Sequence, residues 1–88
     1  MGALIQGLGG ALKEEVLFDA QSQTTRALTT YEVPRFSDTP EIDITLIDRR
    51  EIDPAGAGEA AITLVAPALA NAIFQSTQIR RRNLPLRL

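Results

Sequence analysis

One carboxylate, Glu59, stands between a glycine-containing segment and a long apolar run. Gly56 and Gly58 precede it, and the run over residues 60–77 follows. Glycines allow close approach of a ligand, and the first N–H groups of a helix attract negative charge. Glu59 therefore either complements the dipole in the first turn of a helix, worth about 0.3–1 kcal/mol, or accepts a proton at a ligand site. Spacing alone favours the first interpretation, and the segment lacks the signature of a phosphate-binding loop.

The residue types that are absent restrict the chemistry further. The sequence contains no histidine and no cysteine. Their absence excludes disulfide frameworks, zinc clusters and the nucleophilic constellations that depend on Cys/His or Ser/His/Asp. Any catalysis must use carboxylates, amides, hydroxyls, arginines or a bound cofactor.

The composition is that of an ordinary soluble protein. The chain has 88 residues, of which 44% are hydrophobic and 23% are charged, enough for one small domain. The first fifteen residues lack a basic leader and are rich in glycine, so we expect neither a signal peptide nor a membrane-spanning helix. A soluble protein is predicted, and the choice between cytoplasm and periplasm stays open.

Charge is distributed unevenly along the chain. All eleven acids lie at or before Glu59, together with five basic residues, which gives residues 1–59 a net charge of −6. Residues 60–88 contain four arginines and no acid, and so carry +4. A nucleic-acid patch at Arg80–Arg82 is one interpretation. The acidic remainder, the single Tyr and the lack of Trp favour the other, a solvated or intersubunit strand face without nucleic acid.

The first half of the chain predicts a helix followed by turns. Apolar residues at every fourth position predict a helix over residues 3–18, and they are Leu4, Leu8, Leu12 and Val16. Glycines within this segment indicate close approach of another backbone or a ligand. Residues 19–30 are polar and predict a turn or hairpin, and Pro34 and Pro40 divide the next stretch into extended pieces.

The second half predicts a crossover unit. Residues 41–48 alternate apolar and polar side chains, as in a strand, and residues 79–86 are expected to form a second strand. Between them a helix is predicted over 60–77, either starting near Ala66 or kinked at Pro67. The expected fold class is α+β: a small domain of two helices packed on a short mixed sheet, with a C-terminal strand–helix–strand crossover.

Three segments together resemble a known family. They are "IQGLGGALKEEVLFD", "TYEVPRFSDTPEIDITLID" and "GAGEAAITLVAPALANAIFQSTQIRRRNLPL". Taken in this order, they are similar to the C-terminal segment of the molybdopterin-binding large subunit of the xanthine dehydrogenase/aldehyde oxidase family. The resemblance extends over residues 2–86, and the isoquinoline 1-oxidoreductase β-subunit type is the most similar. Ala60 and Ala61 depart from the family pattern, in which prolines are common, and so does Gln78, where a glycine usually ends the helix.

The resemblance implies a molybdenum hydroxylase, an oxidoreductase that adds water-derived oxygen to an N-heteroaromatic or aldehyde carbon. Glu59, in the Gly-x-Gly-Glu motif, would act as general base on the metal-bound hydroxyl. The residues expected at the cofactor are Gln6, Gly7, Gly56, Ala57 and Gly58, and no side chain is expected to ligate the metal.

The resemblance also implies a cofactor and partners. The full enzyme would bind molybdopterin in its cytosine dinucleotide form, and the isolated chain would bind none. Residues 1–88 would form a single domain, a C-terminal fragment of the catalytic subunit. Its partners would be the rest of that subunit and an iron–sulfur subunit. Alone, the chain is expected to be inactive and to form homo-oligomers, because its apolar stripes would be uncovered. The alternative is a free-standing scaffold or assembly domain without catalysis.

Overall fold

The computed structural model describes residues 1–87, which contain two α-helices. Helix α1 spans Gly2–Leu12 and helix α2 spans Ile62–Thr77. A single 3-10 turn, Phe36–Asp38, lies between them. Turns and extended segments make up the rest of the described chain.

Helix α1 is shorter than its apolar pattern predicts. The backbone N–H groups of Lys13 and Glu14 both donate to the carbonyl oxygen of Gly9, at 2.9 Å each, and this ends the regular ladder. The side chains of Lys13 and Glu14 then reach Asp38 and Tyr31, respectively. The helix ends at Leu12 because these polar residues contact the following segment.

Helix α2 agrees closely with its predicted range and includes Pro67 in its interior. Because proline has no N–H, the hydrogen bond from residue 67 to the carbonyl of Thr63 cannot form. The helix ends at Thr77, and the next residue, Gln78, has a left-handed backbone with φ 61° and ψ 12°. A residue with a side chain thus occupies the conformation that glycine usually supplies at the end of a helix.

The two helices pack against each other, and this contact makes the core. Gly7 and Ala11 of α1 are buried, as are Val65 and Ile73 of α2. Leu86 completes this small group, and its N–H donates to the carbonyl oxygen of Ala11 at 2.7 Å. The C-terminal segment therefore returns to the end of α1.

The predicted mixed sheet is wrong. Among residues 1–87 there is no strand, and pairing is limited to an isolated antiparallel bridge between Phe18 and Gln23, at the start of the predicted turn or hairpin. Residues 41–48 and 79–86 form neither strands nor a crossover. A strand needs a neighbour for its backbone groups. Alternation at 41–48 gives a suitable side-chain pattern, but the described chain supplies no such neighbour.

The molecule exposes far more surface than a compact domain of its size. Its accessible surface is 7579 Å² and its radius of gyration is 16.2 Å. A compact monomer of this mass would expose about 5,000 Å², with a radius of gyration of about 12 Å. The excess of about 2,500 Å² on this one chain is comparable to what one partner contributes to a large obligate interface. Large apolar side chains contribute to this exposed surface, since Phe36 is 96% exposed and Leu46 is 90% exposed.

Within residues 1–87, neither helix is long and apolar enough to cross a membrane.

Candidate functional site

Glu59 lies in the turn that leads into α2. Its carbonyl oxygen accepts a hydrogen bond from the N–H of Ile62 at 3.0 Å, and the residue is exposed. The N-cap is Ala61, and no acid lies in the first turn of α2. The dipole interpretation placed Glu59 in the first turn of the helix, whereas the residue lies before that turn. Among the described residues, its carboxylate makes no hydrogen bond or ion pair, so both oxygens can accept a proton or a hydrogen bond from a ligand.

The three residues before Glu59 form an open approach to it. Gly56, Ala57 and Gly58 are all exposed. A Cβ atom on either glycine would meet nothing within 4 Å, and neither glycine has a positive φ. The backbone of this segment is thus accessible, which is what a backbone-to-ligand contact requires.

Gln6 and Gly7 are neighbours on α1 with different surroundings. Gln6 is exposed, whereas Gly7 is buried against α2. A Cβ on Gly7 would lie 2.7 Å from Cγ2 of Val65. Helix packing is therefore sufficient to explain the glycine at position 7. The amide of Gln6 is the more accessible of the two for a ligand.

A groove connects α1 with the turn before α2. It has a volume of about 550 Å³, and most of its lining is apolar. Leu4 and Leu8 supply the α1 wall, and Ala61, two residues after Glu59, lies on the opposite side with residues of α2. Gln6 and Glu59 do not line the groove or contact each other. The structure therefore places α1, which carries Gln6, near the turn that carries Glu59, but the two side chains do not touch.

Polar contacts hold the segment that precedes the remaining wall of the groove, Pro40–Asp43, close to the end of α1. Nζ of Lys13 lies 2.8 Å from Oδ2 of Asp38 and 3.2 Å from Oε1 of Glu32. The hydrogen bond from Lys13 lowers the pKa of Asp38, and the same contact raises the pKa of Lys13. These contacts connect residues 32–38 to the end of α1.

A second link joins α1 to the same segment. The hydroxyl of Tyr31 donates to Oε2 of Glu14 at 2.7 Å, and this hydrogen bond raises the pKa of Tyr31. A Cβ on Gly9 would lie 2.6 Å from Cγ of Pro34, so the glycine lets the segment cross closely over the helix. The lack of a side chain at position 9 thus allows Pro34 to pack directly against α1.

A second cavity lies near the C-terminus. It measures about 470 Å³ and is mainly polar, and its lining is Glu15, Arg80, Arg81, Arg82, Asn83, Leu84, Pro85 and Arg87. The sequence indicated a basic strand face here, but residues 79–86 are not a strand. Asn71 and Phe74 both contact Arg80 across the end of α2.

No cluster of three or more Asp or Glu side chains among residues 1–87 has the arrangement of a metal site.

Comparisons with known proteins agree with the family inferred from the motifs. Residues 1–40 match the family described as "Molybdopterin cofactor-binding domain". The chain is 38% identical over 85 residues to one of the subunits of nicotinate dehydrogenase from Pseudomonas putida, and the match covers 97% of this chain and 7% of that protein.

Two further relatives match nearly the whole chain. A membrane-bound aldehyde dehydrogenase (pyrroloquinoline-quinone) of Gluconacetobacter polyoxogenes is 40% identical over 86 residues, or 98% of this chain and 11% of the relative. The aldehyde oxidoreductase molybdenum-binding subunit of Escherichia coli is 33% identical over 97 residues, or 100% of this chain and 13% of the relative. The chain thus spans only a small part of each relative, and no solved structure matches it significantly. These comparisons do not distinguish the isoquinoline 1-oxidoreductase type from other members of the family.

Proposed function

Because these similarities support membership in the family of molybdenum-binding subunits of xanthine and aldehyde dehydrogenases, we propose that the chain is part of a molybdenum hydroxylase. Similarity over almost the entire chain to molybdenum-binding and dehydrogenase subunits is the observation that carries this proposal. The finer proposal is an enzyme of the isoquinoline 1-oxidoreductase type that oxidises an N-heteroaromatic or aldehyde carbon with oxygen from water.

The residues assigned to the cofactor have suitable chemistry for molybdopterin. A pterin ring offers hydrogen-bond donors and acceptors, and an exposed glutamine amide such as Gln6 can pair with both kinds. Gly7 and the exposed backbone of Gly56–Gly58 would provide the remaining contacts. When bound, the cofactor supplies the redox centre that takes electrons from the substrate carbon.

Glu59 is proposed as the general base. Its carboxylate is exposed and makes no ion pair within the described chain. An ionised carboxylate with free lone pairs can remove a proton from a water-derived nucleophile and hold it on one oxygen. The open segment before it allows a nucleophile and a substrate to approach, and α1–α2 packing would keep Glu59 on the same body as Gln6.

The exposed surface supports an assembly with further protein. The rest of a molybdenum-binding subunit would cover part of the excess area, and an iron–sulfur subunit would accept the electrons. In the complete enzyme the cofactor would be the cytosine dinucleotide form of molybdopterin. The isolated chain would cover its apolar surface by self-association, which sedimentation at high micromolar concentration would detect.

Replacement of Gln6 tests the assignment of the cofactor contact. In a complete molybdenum-binding subunit carrying this sequence, Gln6→Ala would remove a contact worth about 0.5–1.5 kcal/mol and so lower the molybdenum content of the purified protein. Gln75→Ala, at an exposed position of α2, is the matched control and would leave the content unchanged. Equal molybdenum in the two purified variants would contradict a cofactor contact at Gln6.

A further inference from the structure

We propose that the cavity near the C-terminus, hereafter the arginine pocket, binds a diphosphate group. Its charged lining consists of Arg80, Arg81, Arg82 and Arg87 with Glu15, around a volume of about 470 Å³. This site does not require the function proposed above.

One arginine of the pocket is held in place before any ligand binds. Nη1 of Arg80 donates to Oδ1 of Asn71 at 2.8 Å, and its guanidinium lies 3.9 Å from the centre of the Phe74 ring. The hydrogen bond and the cation–π contact together restrict a side chain that would otherwise be flexible. A guanidinium fixed in this way loses less freedom when it pairs with an oxyanion.

The backbone that carries the pocket is also anchored. Pro85 and Leu86 are buried, and Leu86 donates to the carbonyl of Ala11. Glu15, just beyond α1, contacts Arg87 across the pocket. The arginines therefore project from a segment that is tied to both α1 and α2.

The charge of the pocket favours an anion with more than one negative charge. Four guanidinium groups against one carboxylate give the lining a net charge of +3. The C-terminal ends of α1 and α2 lie nearby and contribute together about −1, which leaves the pocket positive. Arg81 and Arg82 make no ion pair within the described chain, so both are available for bidentate contacts with phosphate oxygens.

A compact anion fits better than a long one. Residues 1–59 carry a net charge of −6, which would repel an extended polyanion such as a nucleic acid along most of the molecule. A diphosphate group concentrates its charge within the pocket. Such a group occurs free as pyrophosphate and also within nucleoside diphosphates.

Calorimetric titration of the 88-residue chain with pyrophosphate tests the site. The double variant Arg81→Gln/Arg82→Gln is expected to bind at least about tenfold more weakly, because two charged hydrogen-bond donors are lost. Arg49→Gln/Arg50→Gln is the matched control. It removes the same charge from arginines that pair with Glu51 and Asp48 outside the pocket, so its affinity should stay within about twofold of the parent value.

A second pair of variants tests the same site without deleting an arginine. Glu15→Gln releases Arg87 and is expected to bind pyrophosphate severalfold more tightly, whereas Asp53→Asn, with the same change in net charge, should not. Circular dichroism would establish that the helices persist in these variants.

Cytidine diphosphate distinguishes the sources of the diphosphate group, since a higher affinity for it than for pyrophosphate would indicate a nucleotide.

Three results would overturn the proposal. They are no pyrophosphate binding, equal weakening in the two arginine double variants, and binding of hexaglutamate as tight as that of pyrophosphate. The last result would instead indicate an acidic protein surface as the partner.

Discussion

Gly7 of α1 and Val65 of α2 meet so closely that a Cβ on Gly7 would lie 2.7 Å from Cγ2 of Val65. This contact sets the distance between the helices that form the core. It also determines how α1, which carries Gln6, is positioned relative to the turn that carries Glu59.

Alanine at position 7 should separate the helices. Gly10 lies on the same helix, and a Cβ there would meet nothing within 4 Å, so both substitutions gain the same helix propensity. We expect Gly7→Ala to be less stable than Gly10→Ala by about 1–3 kcal/mol, because only the former overpacks the interface. Urea unfolding measures the difference. Val65→Ala should recover part of it, and additive effects of the two changes would contradict direct contact.

Glycine at position 78 should stabilise the end of α2. Gln78 has a left-handed backbone with φ 61°, which is unfavourable for a residue with a side chain. Gln78→Gly is expected to raise the free energy of unfolding by about 1 kcal/mol. Gln75→Gly, inside α2, should lower it by about 1 kcal/mol. If both substitutions destabilise the chain in thermal unfolding, the left-handed backbone at Gln78 does not lower the stability of the folded chain.

Acid should weaken the attachment of residues 32–38 to α1. The hydrogen bond from Lys13 lowers the pKa of Asp38 below its ordinary value of 3.8. A depressed pKa stabilises the folded state above the ordinary value, and this contribution is lost as the pH falls through the lower, folded-state value. We expect Asp38→Asn to be less stable than the parent chain at neutral pH and to differ little from it at strongly acidic pH.

Urea midpoints between neutral and acidic pH measure this response. Asp53→Asn serves as the control, because Asp53 makes no ion pair among the residues described. A constant gap between parent and Asp38→Asn at every pH would argue against the Lys13 contact as the cause.

Glutamine at position 59 should separate the general-base role from a structural one. In the complete enzyme, Glu59→Gln keeps the volume of the side chain but cannot take up a proton, so turnover of an N-heteroaromatic or aldehyde substrate should fall by about 10²–10⁴. Molybdenum content and thermal stability should not change. Glu51→Gln, at an exposed acid that does not line the groove, provides the control. Near-normal turnover with full molybdenum loading would exclude the role.

The helices were predictable because their signals are local. Apolar spacing located α1 and α2, and α2 begins at Ile62, close to the predicted start. The end of α1 was missed by six residues. Tertiary contacts of Lys13 and Glu14 determine that end, and residue spacing does not encode them.

The sheet was not predictable for a different reason. Alternation over residues 41–48 describes a side-chain pattern, whereas a strand also needs a partner, and none exists within residues 1–87. The motif around Glu59 was recognised from adjacent residues. The arginine pocket was missed because Glu15 and Arg87 are far apart in sequence and meet only through the return of Leu86 to Ala11.

The long connection between the 3-10 turn and α2 makes this chain suitable for division into two peptides. Residues 40–60 contain no helix or strand, and Arg49 and Arg50 within them are exposed and open to trypsin. A cut there leaves α1 on one peptide and α2 with the C-terminal segment on the other. The Gly7–Val65 contact and the Leu86–Ala11 hydrogen bond join the two peptides, and we expect the peptides to reassemble when they are synthesised separately.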